Sequence, residues 1–218
     1  MRALVLQPLP FRAAGQQALK PRHTIRAPRP STEILALFSI GQKATTGKRE
    51  QKKSELLEAI APLNRGVAAS EAEKDEVEQL ASELERLNPN KNALASPLIN
   101  AKWRLLYTTS ASILGTTKPP FLRPQGPIYQ TIDAVNLVAK NEETWPFFNQ
   151  VEAKLTPETK SRVAVQFKKF KILGLIPITA PENAKGKLDT TYLDEELRVS
   201  RGDRGNLFVL ERYEDLPQ

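Results

Sequence analysis

Hydrophobic positions recur with two different periods along this chain. Between residues 52 and 88 the spacing is helical. Ser54 stands where it can cap a short helix that carries Leu56, Leu57 and Ile60 on one face, and Pro62 ends it. Asn64-Arg65-Gly66 reads as a turn. Ser70-Glu71-Ala72-Glu73 is a capping box: the serine hydroxyl takes the third amide and the glutamate bonds back. The helix behind it aligns Val77, Leu80, Leu84 and Leu87, while Glu71, Asp75, Glu76, Glu78, Glu83 and Glu85 face water until Asn88-Pro89 stops it. Two amphipathic helices must bury their stripes, either on a sheet of the same domain or on a partner.

After residue 98 the period falls to two. Trp103, Leu105 and Tyr107 alternate with Arg104, Leu106 and Thr108. Ile128, Gln130 and Ile132 follow, then Val135, Leu137 and Ala139, then Asn149, Val151, Ala153 and Leu155, then Val163, Val165 and Phe167. Thr191 and Leu193, Leu197 and Val199, and 207–210 complete the series. Turn residues lie between the runs: Gly115, Pro119-Pro120, Gly126-Pro127, Pro157, Pro181 and Gly202 through Asn206. About eight short strands without intervening helices predict a mainly β fold, an antiparallel sandwich or barrel behind a short helical hairpin. A barrel of that size has room inside for side chains or one small ligand.

Charge changes the picture at the N-terminus. Residues 1–53 carry 11 Lys and Arg against Glu33 and Glu50, a balance of +9, whereas 54–218 balance at −2. The overall +7 therefore belongs to the leader, and the main domain has no net attraction for nucleic acid. Residues 1–50 are rich in Arg, Ala, Pro, Ser and Thr, the composition of an import signal. Pro8 and Pro10 interrupt Leu4–Phe11, so a secretory h-region is missing. A disordered basic tail without targeting is the alternative, and composition separates plastid from mitochondrion poorly.

Inventory removes several chemistries. There is no Cys, and the single His, His23, lies in the leader. Zinc sites built on His or Cys, Ser–His–Asp triads and Cys–His pairs are thus excluded from the domain, and no metal or cofactor is expected. Gly41 through Lys48 imitates a P-loop but is one residue too long, and Arg49 stands where the hydroxyl residue belongs. The longest apolar uncharged runs, Ile34–Ile40 and Ile172–Ala180, fall far short of the roughly 20 residues of a spanning helix.

Two stretches carry a resemblance. One is Leu98-Ile-Asn-Ala-Lys-Trp103-Arg-Leu-Leu-Tyr107-Thr-Thr-Ser110. The other is Tyr192-Leu-Asp194-Glu-Glu-Leu-Arg198-Val-Ser-Arg201-Gly-Asp203. With Arg65-Gly66, Asn88-Pro89 and the Tyr129–Asp133 run, they resemble the plastid lipid-associated protein (fibrillin) family over residues 54–211. The resemblance implies a lipocalin-like barrel of about eight strands spanning 98–212, a helical hairpin over 52–88 packed on it, and a plastid transit peptide over 1–50. It implies a non-enzymatic protein that binds or organises hydrophobic lipid or prenyl-quinone at plastoglobules or thylakoids, with a coat or scaffold docked on a plastid lipid-biosynthetic enzyme as the alternative. Ala101 departs from the lipocalin pattern, which has Gly two residues before the Trp.

The candidate residues follow from this reading. Trp103, Leu105, Tyr107, Val165 and Phe167 form the floor and lining of the barrel. Arg198 and Arg212 are candidates to stack on Trp103 through cation–π contact. Asp194 with Arg198, and Arg201 with Asp203, read either as a polar rim for a head group or as ion pairs fixing turns. Leu114, Phe121, Leu173, Leu175 and Ile176 belong to two apolar loops that can frame one entrance or insert into a lipid surface. For residues 172–178 a buried strand is the competing reading. Asp194-Glu195-Glu196 reads as a solvated turn rather than a catalytic pair.

Overall fold

The computed structural model describes the backbone of residues 32–216 and the side chains of residues 44–216. The leader reading of residues 1–31 therefore lies outside the described residues. The chain divides into two units, Met1–Ser39 and Ile40–Gln218, and the second holds the whole sheet and the helices packed on it.

Helix α1 (Thr32–Ile60) runs through Glu50 and Ser54, so Ser54 is not a cap. Its hydroxyl instead donates to Glu58 Oε1 at 2.8 Å, and the P-loop-like run is helical. A left-handed turn follows, with Asn64, Arg65 and Gly66 all at positive φ. Gly66 is required here: at φ 105° a Cβ would stand 2.3 Å from the Thr108 carbonyl oxygen. Helix α2 (Glu71–Arg86) opens with the capping box, Ser70 Oγ accepting from Glu73 N at 3.3 Å and Glu73 Oε2 accepting from Ser70 N at 2.8 Å.

Among the described residues nine strands form one antiparallel sheet: β1 (Ala101–Thr108), β2 (Ile128–Asp133), β3 (Val138–Glu143), β4 (Gln150–Pro157), β5 (Arg162–Ile172), β6 (Ile176–Thr179), β7 (Lys185–Leu193), β8 (Leu197–Gly202) and β9 (Leu207–Asp215). Sequential strands pair, β9 returns to β1, and β4 pairs with β5. The result is a closed eight-stranded barrel, with β6 as an extra strand on the far half of β5. Closure removes the edges of the sheet proper.

The sheet has two cores. Leu56, Ile60 and Leu63 join Val77, Ala81 and Leu84 of α2 against Tyr107, Tyr192, Leu197, Val199, Leu207 and Val209 on the outer face of the barrel. The amphipathic helices thus bury their stripes on their own domain. Inside the barrel, Trp103, Leu105, Ile128, Ile132, Leu155, Val163, Leu193 and Leu210 form the second core, closed from below by Ala93 and Ile99. β1, β7, β8 and β9 are therefore buried on both faces.

Bulges explain where strict alternation fails. Leu105 faces Leu210 while Tyr107 faces Val209, which leaves Leu106 as the extra residue. Tyr107 is turned by this bulge from the interior to the helix-covered face, correcting its placement as barrel lining. A second bulge between Thr190 and Tyr192 does the same to Tyr192. Val135 and Leu137 belong to the β2–β3 turn rather than to a strand: Leu137 has φ 55° and Asn136 N donates to Asp133 Oδ1 at 2.8 Å.

Candidate functional site

Trp103 is completely buried at the closed end of the barrel. Its indole Nε1 donates to Ile99 O at 3.4 Å. The Arg198 and Arg212 guanidiniums lie 5.0 and 4.8 Å from its ring centroid. Ala101 starts β1 with ordinary extended backbone and adds its methyl to the same core, so the glycine of the lipocalin pattern is not needed here.

The two arginines differ in how they are held. Arg212 donates to Glu195 O at 2.6 Å, to Asp215 Oδ1 at 2.7 Å and to Leu98 O. It ties the end of β9 to the segments around it. Arg198 donates from Nη2 to Gln130 Oε1, whose amide donates to Asn141 Oδ1 at 2.9 Å. Burial, and then the charge of Arg212, push the Arg198 guanidinium down to about 9.

Asp194 does not pair with Arg198. It lies on the other side of the β7–β8 turn, where its carboxylate accepts from Tyr192 Oη, from Lys53 Nζ at 3.2 Å, and from the amides of Glu196 and Leu197 at 2.9 and 2.7 Å. Burial alone would raise this carboxyl; the bonds from Tyr192, Leu197 and Glu196 and the charge of Lys53 outweigh it and hold it below 3.8. Arg201 does not pair with Asp203 either. It reaches α2, binding Glu85 at 2.8 Å, Glu78 at 2.7 Å and Ser82 at 3.3 Å. Asp203 sits exposed in the β8–β9 turn, its amide on Lys187 O at 3.2 Å. Asp194 and Arg201 are thus clamps between helix and barrel, and the four residues do not form one polar rim.

The opposite end of the barrel is built differently. Leu105 belongs to the buried interior, but Val165, Phe167 and Phe170, which face inward from β5, are only half-buried. The Phe167 and Phe170 rings stack at 6.3 Å. Above them three segments meet. The β5–β6 turn is a tight hairpin, with Leu173 and Gly174 both at positive φ. It places Leu173, Leu175 (82 % exposed), Ile176 and Ile178 in solvent, which overturns the buried-strand reading of 172–178. The β3–β4 loop contributes Trp145 (62 % exposed) and Phe148, and the β1–β2 loop Phe121 (69 % exposed) and Leu122. Backbone bonds tie the loops: Gln125 N and Gly126 N donate to Trp145 O at 3.2 and 3.0 Å, and Leu173 N donates to Asn149 Oδ1 at 3.2 Å. Leu114 is buried beneath its loop, so it supports the rim rather than lining it.

Sequence reasoning misses Trp145, Phe148 and Gln130. The aromatic run Trp145-Pro146-Phe147-Phe148 marks the first two, and the position of Gln130 between Ile128 and Ile132 on one face marks the third. A separate cleft of about 520 Å³ lies outside the barrel between Lys53 and Leu57 of α1 and the acids Glu195, Glu196, Glu211, Glu214 and Asp215. Its acidic lining sets it apart from the apolar interior. Among the described residues no group of three or more His, Cys, Asp or Glu is placed to hold a metal, and no helix is long and apolar enough to cross a membrane.

The PAP_fibrillin family model matches residues 50–211, the helices and nearly the whole barrel. The chain belongs to this family. It is 48 % identical over 183 residues to the probable plastid-lipid-associated protein 5, chloroplastic, of Arabidopsis thaliana, covering 83 % of this chain and 78 % of that protein. The light-induced protein, chloroplastic, of Solanum tuberosum is 30 % identical over 220 residues, covering 74 % and 67 %. The chromoplast-specific carotenoid-associated protein C1, chromoplastic, of an Oncidium hybrid cultivar is 27 % identical over 237 residues, covering 81 % and 74 %. No solved structure matches the chain.

Proposed function

We propose that this fibrillin-family protein is a non-enzymatic plastid protein that holds a hydrophobic lipid or prenyl-quinone in its barrel and meets a plastoglobule or thylakoid surface with its open end. The observation that carries the reading is the asymmetry of the interior. One end is sealed by Trp103, Ile99 and Ala93, while at the other Val165, Phe167 and Phe170 face inward and stay accessible. Apolar walls of this kind supply affinity for an apolar ligand by burial. The exposed apolar rim around that opening, with Lys168, Lys169 and Lys171 on β5, has the makeup of a surface that inserts shallowly among lipid tails while cations face anionic head groups. The chloroplastic and chromoplastic relatives support the plastid, and the carotenoid-associated one supports an apolar cargo.

A scaffold that docks on a plastid enzyme through the apolar stripe of α2 is disfavoured, because Val77, Ala81 and Leu84 are spent on the domain's own outer core. Native mass spectrometry of delipidated protein reloaded from a plastid lipid extract tests the carrier reading. A bound lipid or quinone is the expected result; an empty protein across every lipid class would overturn it.

A further inference from the structure

Arg198 is the one part of the interior that an apolar barrel does not explain. It is fully buried on β8. Its Nε and Nη1 find no acceptor among the described residues, and Ser200 Oγ, two residues along on the same inward face, also has none. Only Nη2 is engaged, by Gln130. The carboxylate nearest in sequence, Asp194, is committed to Lys53 and Tyr192. The charged neighbour across Trp103 is Arg212, another cation, which is engaged by Glu195, Asp215 and Leu98. A guanidinium sealed among apolar walls without a counter-charge is strongly disfavoured unless something supplies an acceptor. Water can satisfy N–H groups but leaves the charge uncompensated.

We propose that Arg198 reads the head group of the barrel's ligand, and that this head is the carboxylate of a long-chain apolar acid. The inference rests on the barrel being a lipid site and names the chemistry of its deep end. The acyl chain would lie toward Val165 and Phe167, and the carboxylate would accept from the free Arg198 donors and Ser200. Gln130, held in turn by Asn141, fixes the guanidinium on Trp103, so the donors are oriented before a ligand arrives. At neutral pH the guanidinium keeps its proton, because even its lowered value of about 9 lies above that range.

The test is competition between hexadecanoic acid and its methyl ester for the full chain at pH 8, read by native mass spectrometry. The two ligands share a tail and differ in charge at the head. We expect the acid to win by at least about ten-fold, the scale of a charge-assisted hydrogen bond, and Arg198→Met to erase that preference while the ester still binds. Equal occupancy by acid and ester in the unmodified protein would overturn the proposal and leave the barrel as a lipid site with a purely structural Arg198. Binding of neither would remove both readings. Should the variant fail to fold, ¹³C NMR of carboxyl-labelled acid on the unmodified protein decides independently. A bound carboxyl that stays ionised down to about pH 4 supports the pairing, and one that protonates above its free value contradicts it.

Discussion

At the end of the barrel where Trp103 sits, every apolar side chain that points inward is sealed; at the end where β5 runs on into β6, Val165, Phe167 and Phe170 point into the same interior and remain accessible. The closed end carries two layers of packing, because β1, β7, β8 and β9 are covered outside by α1 and α2 and filled inside around Trp103. The open end carries one layer and a fringe of exposed apolar loops. The difference teaches that stability and lipid contact are separated along the barrel axis. A change at one end should act on folding, and a change at the other on binding.

That separation is breakable. Trp103→Ala removes the largest buried side chain at the closed end and should cost about 3–5 kcal/mol, read as a shift in the denaturant midpoint; a loss under about 1 kcal/mol would mean the floor is not a packed core. Gly66→Ala forces a Cβ against the Thr108 carbonyl at a positive φ and should cost about 1–3 kcal/mol in the same experiment.

The Asp194 clamp should show itself in acid. Its carboxyl titrates below 3.8 when folded, so the folded state binds fewer protons than the unfolded chain around that value. The stabilisation is therefore complete above the unfolded value and disappears as pH falls through the folded one. Asp194→Asn, which leaves Lys53 and Tyr192 with weaker acceptors, should cost about 1–3 kcal/mol at pH 7. It should also flatten the fall in stability measured by urea titration from pH 5 to pH 3. An unchanged acid limb would show that other carboxylates dominate it.

The smallest effect on folding should come from the open end. Leu173→Ser with Leu175→Ser should change stability by no more than about 0.5 kcal/mol, since both side chains are already exposed. The same double variant should lose co-flotation with vesicles of galactolipid containing an anionic lipid. Undiminished flotation would separate the rim from lipid contact.

The fold was legible because its signals are local. Alternation of period two survives in most strands, the capping box marks α2 at Ser70, and the turn residues fall between the runs. What was hidden depends on register and on side. A single extra residue at Leu106 turns Tyr107 to the opposite face, and no pattern within β1 announces it. Asp194 and Arg198 are four residues apart, which invites a pairing, but the β7–β8 turn sends one to Lys53 and the other into the barrel. Arg201 and Asp203 mislead in the same way, because Arg201 finds its acids on α2, more than a hundred residues earlier. The rim needed three loops brought together, and only the Phe121 and Leu173–Ile176 portions stood out as apolar. Trp145 and Phe148 lay between two strands and joined them only through the bonds that tie the loops.

The most direct test of the account is where a bound lipid touches the protein. A fatty acid carrying a diazirine midway along its chain, photo-crosslinked to the full chain and mapped by peptide mass spectrometry, should label Val165, Phe167 and Phe170 and their neighbours on β4. Labelling confined to the acidic cleft beside Lys53 and Leu57, or to the outer face of α2, would contradict an internal lipid site.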